Sequence, residues 1–222
     1  VEPIELFSAR VCPFAHRCRL ALLEKGLPFD VVEIDLHDKP AWYRNIHPGG
    51  AVPALRQGDF VLRESSIINE YIEELAPVPV LLPETPRLRA LARLWIAFAD
   101  TDFVPLFYRL LKARDADGQR EAQDKLVTVL RTIDEELSRR RQEGPYWSGC
   151  RVGLADIAFY PWFERWPVLE HYRGLALPGE LKAKALSGWI ETMRQRDAVI
   201  IAGMPAAFYI AGYQDYARGK NV

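Results

Sequence analysis

Val11-Cys12-Pro13-Phe14-Ala15-His16-Arg17 decides how the rest of the chain is read. A strand-like run, Ile4 to Phe7, leads into it. A helical pattern leaves it, with Cys18, Ala21 and Leu22 three and four residues apart. Cys12 is therefore expected where a strand hands over to a helix N-terminus. Pro13 suits the first helical position, where its missing N–H costs nothing, and the amides of Phe14 and Ala15 then point back at the sulfur. The thiolate is the nucleophile, and at an ordinary thiol pKa of roughly 8.5 only about 3% of it is present at pH 7. The positive end of a helix lowers that pKa, and a drop of about two to three units makes thiolate the main species. The competing reading is a structural Cys12, a small buried hydrophobe, as a lone Cys at a helix start often is.

Outward from this stretch, Gly26 is a helix stop followed by Pro28, and Phe29-Asp30-Val31-Val32-Glu33-Ile34 is β-branched and strand-like. Strand, helix, strand favours a parallel crossover. Lys39 to Gly50 is polar and irregular. Ala51 to Arg56 and Phe60 to Leu62 read as short strands around Gln57-Gly58-Asp59, a hairpin signal. Glu64-Ser65-Ser66 opens a helix whose apolar face is Ile67, Ile68, Tyr71, Ile72 and Leu75, with Ser65 the natural N-cap. Residues 1–76 thus read β-α-β-β-β-α. Pro77, Pro79, Pro83 and Pro86 mark a linker over 77–86. Residues 87–222 read as all-helical: a helix through Leu88 to Phe98, a second through Leu126 to Leu137 ended by Gly144-Pro145, and a third from Gly153 through Phe163. Two more are expected over Gly179 to Arg196 and Pro205 to Arg218. The fold class is an α/β first domain plus an all-α second domain.

Composition bounds the function. The 222 residues are 49% hydrophobic, enough for a sizeable core, and the net charge of -1 leaves no electrostatic footprint for nucleic acid. Three Cys do not make a disulfide framework and suit a reducing, cytoplasmic compartment. The first residues lack a secretory pattern, although the chain starts at Val. The longest apolar run, Val199 to Gly212, is cut by Pro205, so no membrane span is expected. His16, His37, His47 and His171 show no metal-ligand spacing, and no metal is expected.

Cys12-Pro13-Phe14-Ala15 resembles the Cys-x-x-Cys redox motif of thioredoxin-like proteins, with Ala15 in place of the second Cys. Cys18 is no substitute, because six helical residues carry it about 9 Å along the axis, beyond the roughly 7 Å limit for bridging. Cys12 must then use an external thiol, and a mixed disulfide with a small thiol is the direct route. Val52-Pro53 follows a Gly-rich loop and is either a cis turn or a trans Pro at a strand start. Glu64-Ser65 is either a plain helix cap or an anion site.

Taken together, Cys12-Pro13-Phe14-Ala15, Lys39-Pro40-Ala41-Trp42-Tyr43, Val52-Pro53, Glu64-Ser65 and Tyr160-Pro161-Trp162-Phe163-Glu164-Arg165 resemble the cytosolic glutathione transferases, and within them the omega class. The resemblance spans nearly the whole chain and implies a thioredoxin-like glutathione-binding domain, an all-helical domain and a homodimer. It also implies roles. Cys12 forms the mixed disulfide, and Val52, before a cis Pro53, pairs its main chain with the cysteinyl unit of glutathione. Ser65 holds the γ-glutamyl carboxylate, Glu64 meets the ammonium, Lys39 faces the glycyl carboxylate and Phe14 walls the site. A solvated surface charge is the alternative for Lys39 and Glu64.

The pocket for a small hydrophobic or aromatic second substrate is expected between the domains, with Trp95, Phe98, Tyr108, Tyr160, Trp162 and Trp166 as candidates, although most aromatics at helical spacing are core. Asp156 is read as a folding element. Gly153 stands where such transferases often carry a Ser or Thr cap, with Val152 and Ile157 as a hydrophobic staple. His16 is read as an exposed first-turn side chain or a tuner of Cys12, and Cys150 as incidental. The expected activity is glutathione-dependent thiol transfer or reduction: removal of glutathione from mixed disulfides, dehydroascorbate-type reduction, or reduction of carbonyl-activated glutathione thioethers. A conjugating or ether-cleaving transferase and a non-catalytic interaction module on the same fold are the rivals.

Overall fold

β1 (Ile4–Ser8) is flanked on both sides in the sheet, and Ile4, Leu6 and Phe7 are buried accordingly. The computed structural model describes residues 2–181 and 184–220. On one side β2 (Phe29–Glu33) pairs in parallel, with Ile4 opposite Phe29. On the other, β3 (Ala54–Gln57) pairs antiparallel, with Ile4 opposite Gln57, and β4 (Phe60–Arg63) completes the order β2-β1-β3-β4. The β3–β4 turn is Gly58-Asp59, and Gly58 takes the left-handed φ of +61° that such a turn requires. The parallel β1–β2 pair needs a crossover, which α1 (Pro13–Lys25) supplies before Gly26 ends it at φ +63°. α2 (Tyr43–Ile46) is a single turn of helix inside the stretch expected to be irregular. It closes on local bonds only, His47 N–H to Tyr43 O at 2.9 Å, which no periodicity announces. α3 (Ser65–Leu75) completes the β-α-β-β-β-α order expected from the sequence.

α1 and α3 are joined by a buried ion pair. Lys25 Nζ lies 2.5 Å from Glu73 Oε2 and also donates to the carbonyls of Glu73 and Ala76 at 3.1 and 2.8 Å. The ammonium thereby satisfies the C-terminal end of α3, where a cation suits the helix dipole.

The chain divides between Leu81 and Leu82, inside the proline-rich stretch, and the second unit is helical. α4 (Pro86–Phe98) is capped by Thr85, whose Oγ1 accepts from Leu88 N. A π-helical turn, Ala99–Phe103, leads directly into α5 (Val104–Lys112). The sequence reading did not separate α5. Pro105 removes a helical donor, and the chain widens its turn there instead of stopping. α6 (Ala116–Arg140), α7 (Leu154–Glu164) and α8 (Trp166–Arg173) follow. In place of one helix over Gly179 to Arg196 there is a short turn, Gly179–Leu181, and then α9 (Ala185–Arg194), with 182 and 183 outside the described residues. After α10 (Asp197–Ala202), the helix expected over Pro205 to Arg218 is two, α11 (Ala206–Gly212) and α12 (Gln214–Ala217). The break at Tyr213 buries that ring, stacked on Tyr108.

Asp156 is the polar centre of this unit. It is fully buried, and its carboxylate accepts from Gly153 N at 2.8 Å, Trp147 N at 3.1 Å and Trp189 Nε1 at 2.7 Å. Gly153 caps α7 without a side-chain acceptor, so Asp156 supplies the reciprocal half of the capping box alone. Val152 and Ile157 are buried at the staple positions.

Burial pushes the Asp156 carboxyl up to about 6, against the pull of its three donors. The folded pKa thus lies above the ordinary carboxylate value, so the fold favours the protonated form. That contribution is complete below pH 4 or so and is lost as pH rises through about 6. Asp156→Ala is expected to cost about 3 kcal/mol or more, because three buried donors lose their acceptor. Urea unfolding of Asp156→Asn is expected to show a flatter stability profile between pH 4 and 7 than the parent; parallel profiles would refute the assignment.

Candidate active site at the start of α1

Cys12 is the N-cap of α1, with extended backbone at φ -75° and ψ 122°, and Pro13 follows at the first helical position. Its N–H donates to Ala9 O at 2.9 Å, and its carbonyl accepts from His16 N at 3.0 Å, which begins the helix. The turn is held from inside by Arg19. Its Nη1 donates to Ser8 Oγ at 2.6 Å and Ala9 O at 3.3 Å, and its Nη2 to Arg10 O at 3.3 Å.

The thiol is half-buried, and Sγ sits 3.6 Å from the carbonyl oxygen of Val52. The Val52–Pro53 peptide bond is cis, as the resemblance implied, and both residues are buried. Below the thiol, Phe7, Ala9, Ala15, Tyr43, Val52 and Ala54 form an apolar floor. The Tyr43 hydroxyl donates to Ala51 O at 2.7 Å. Burial first, and then the negative charge of Cys12, push the Tyr43 phenol up, so it stays a hydrogen-bond donor.

The second wall is the N-terminus of α3. The structure corrects one expectation here: Glu64, not Ser65, is the N-cap, and Ser65 is the first helical residue. Glu64 has φ +68° and ψ 114°, the only positive φ among the described non-glycine residues. A residue other than glycine in that region costs on the order of 1–3 kcal/mol, and such strain gathers at ligand sites. Ser65 Oγ accepts from Arg17 Nη1 at 3.4 Å, and the Arg17 guanidinium lies 5.3 Å from the centre of the Phe14 ring. Phe14, Arg17 and Ser65 therefore form one connected wall, with the buried guanidinium between two helix N-termini.

Lys39 is exposed, and its Cδ lies 3.6 Å from where a Cβ on Gly50 would stand. Gly50 is buried with φ +67°, a left-handed conformation that favours glycine there. His47 was not anticipated. Its pKa is lowered by burial and then by the positive charge of Arg63, while Glu64 pulls it the other way. His16 is fully buried, not the exposed first-turn side chain expected, because α1 turns that face into the protein. Among the described residues, no group of three His, Cys, Asp or Glu is arranged to hold a metal.

The other cysteines are apart from this arrangement. Cys18 is completely buried, its Sγ donates to Ser65 O at 3.8 Å, and burial pushes its thiol far up. Cys150 is exposed. Of the second-substrate candidates, Tyr160, Trp162 and Trp166 are 1%, 0% and 4% exposed. Tyr160 meets Trp189, and Trp166 stacks on Phe163, so both rings are packed within the helical unit. Trp95, Phe98 and Tyr108 are half-buried, with Trp95 and Phe98 edge to face at 5.2 Å.

The arrangement suits an extended peptide-like thiol. It offers a nucleophilic sulfur, a main-chain carbonyl beside it, and a helix N-terminus for a carboxylate. Residues 6–84 match the family model for the glutathione S-transferase N-terminal domain, and residues 112–192 that for the C-terminal domain. The chain is 31% identical over 169 residues to glutathione S-transferase omega-1 of Sus scrofa, covering 75% of this chain and 68% of that protein. It is 30% identical over 207 residues to the probable cytosolic glutathione S-transferase DHAR1 of Oryza sativa subsp. japonica, covering 91% and 88%. Among solved structures it superposes on glutathione transferase Omega 3C from Trametes versicolor with a TM-score of 0.86 at 30% identity, covering 98% of this chain and 91% of that one.

Brief treatment of the native protein with iodoacetamide at pH 8 is expected to modify Cys12 and Cys150 and to spare Cys18 until denaturant is added. Peptide mapping reads this directly, and native labelling of Cys18 would contradict its burial.

Proposed function

This chain belongs to the glutathione S-transferase family, and from that premise we propose that it is a single-thiol, glutathione-dependent thioltransferase and reductase of omega type. The observation that carries the reading is Cys12 itself: a half-buried thiol at a helix N-cap, with Ala15 where a resolving Cys would stand and Cys18 buried against Ser65. The Cys12 thiolate attacks the glutathione sulfur of a glutathionylated substrate. The Cys12–glutathione disulfide forms as the substrate's own sulfur–sulfur bond breaks, and the departing thiolate takes a proton. A second glutathione, as thiolate, then attacks the glutathione sulfur of the mixed disulfide. Oxidised glutathione leaves, and Cys12 returns as thiolate. A thioether beside a carbonyl follows the same first step, with the carbon leaving as an enolate that is protonated.

Binding follows from the same wall. The main chain of Val52 pairs with the cysteinyl unit, and Ser65 with the α3 N-terminus takes the γ-glutamyl carboxylate, backed by the buried Arg17. Glu64 receives the ammonium, Lys39 the glycyl carboxylate, and Phe14 borders the site. Of the six aromatic candidates, Trp95, Phe98 and Tyr108 are the ones with surface left for a hydrophobic second substrate. A homodimer in a reducing, cytoplasmic compartment belongs to the same reading, in keeping with three free thiols.

Incubation with oxidised glutathione is expected to add one glutathione to the parent and none at this site in Cys12→Ser, read by intact mass and peptide mapping. Cys12→Ser should lose thioltransferase activity by about 100-fold or more; equal activity would overturn the proposal. Ser65→Ala is expected to raise KM for glutathione by about tenfold, roughly 1.4 kcal/mol, with kcat within about twofold. An unchanged KM would remove Ser65 from the binding wall.

A further inference from the structure

Lys39-Pro40-Ala41-Trp42-Tyr43 contains one residue to which the thiol-transfer cycle gives no task. Tyr43 opens α2 and is 0% exposed, yet its side chain ends in a polar atom. A plain apolar floor beneath the thiol is served as well by Phe, whereas a hydroxyl buried there needs a partner. The Tyr43 hydroxyl finds that partner in the main chain, at the carbonyl of Ala51, 2.7 Å away.

The ring that carries this hydroxyl is held by its neighbours. Phe7 lies 5.7 Å from it, Trp42 meets it edge to face at 6.0 Å, and His47 stands at 6.5 Å. Its main chain is tied at both groups: Tyr43 N–H donates to Pro40 O at 2.9 Å, and Tyr43 O accepts from His47 N at 2.9 Å. The side chain is therefore a strut of fixed length. It ends on the residue before Val52, ahead of β3, whose pairing with β1 begins only at Ala54. Pro53 between them has no N–H to give. One residue beyond the strut, the Val52 carbonyl faces the Cys12 sulfur at 3.6 Å.

We infer that Tyr43 is a positioning residue for the peptide part of the substrate: its hydroxyl holds the Ala51–Val52 main chain where the cysteinyl unit of glutathione pairs with it. The inference rests on the thioltransferase reading and adds a division of labour to it. Cys12 at its helix end serves any disulfide, whereas the Tyr43–Ala51 bond serves only a disulfide that brings a peptide main chain. Setting that main chain in place beforehand removes an ordering cost that binding would otherwise bear. The phenol keeps the proton it donates, because burial and then the Cys12 charge raise its pKa.

Tyr43→Phe deletes the hydroxyl and keeps the ring. The test follows conversion of Cys12 to a mixed disulfide, by intact mass and peptide mapping, in the full chain and in this variant. Two reagents are compared: oxidised glutathione, and bis(2-hydroxyethyl) disulfide, which has no peptide group. With either, the thiolate attacks one sulfur, the reagent's sulfur–sulfur bond breaks, and the other half leaves as a thiolate that takes a proton. In Tyr43→Phe the second-order rate constant is expected to fall at least about fivefold with oxidised glutathione and to stay within about twofold with the other reagent. That split is one a general loosening of the fold does not produce. An unchanged rate with oxidised glutathione would overturn the inference, and so would an equal fall with both reagents. A parent that takes no glutathione at Cys12 is a separate failure: it removes the thioltransferase reading itself, and this inference with it.

Discussion

One buried guanidinium fixes the geometry on which the site depends. Arg19 reaches back along α1 and gathers the Ser8 hydroxyl and the carbonyls of Ala9 and Arg10, the last residue of β1 and the two that follow it. The turn that carries Cys12 has few regular hydrogen bonds of its own, and its carbonyls would otherwise need water. With them satisfied internally, the sulfur is set at the positive end of a 13-residue helix and faces the Val52 carbonyl. A charged side chain at 6% exposure is costly to bury, and its hydrogen bonds to the turn are what offset that cost.

The rest of the wall works by the same economy of main-chain groups. Val52 contributes a carbonyl, α3 its first turn, and Glu64 a backbone conformation that ordinary residues avoid. Side chains then add sign: Arg17 and Lys39 positive, Glu64 negative. Glutathione carries two carboxylates and one ammonium, and the proposed binding mode sets two cations and one anion against them. The apolar floor of Phe7, Ala15, Tyr43 and Val52 keeps the sulfur out of bulk water on one side, where partial charges act over short range with less screening.

Much of this was legible in the sequence, for identifiable reasons. The strand–helix order survives because hydrophobic period and the stops at Gly26 and Gly58 agree with the tertiary fold. Cys12 at the helix start was readable because Pro13 marks the first helical position. The capping assignment at Ser65 failed because side-chain preference pointed to a serine, whereas the strained backbone of Glu64 is a tertiary property. His16, Arg17 and Arg19 were illegible as buried residues: α1 interleaves charged and apolar side chains, and only the packed fold shows that both kinds turn inward. The aromatics at 160 and 162 could not be sorted into core or surface by spacing, since α7 is apolar on nearly every side, and Trp166 stands at the very start of α8. Short helices such as α2, α11 and α12 are too brief for periodicity to register.

Replacing the second cysteine of the motif by Ala15, and enclosing Cys18 against Ser65, leaves the site without any memory of its own. A dithiol enzyme stores an oxidation event as an internal bridge and stays oxidised until something reduces it. In the mechanism proposed above, the disulfide partner of Cys12 is whatever thiol diffuses in, so the occupancy of Cys12 follows the composition of the surrounding pool at each moment. Such a protein reports the present ratio of free to oxidised small thiols and resets as soon as that ratio recovers.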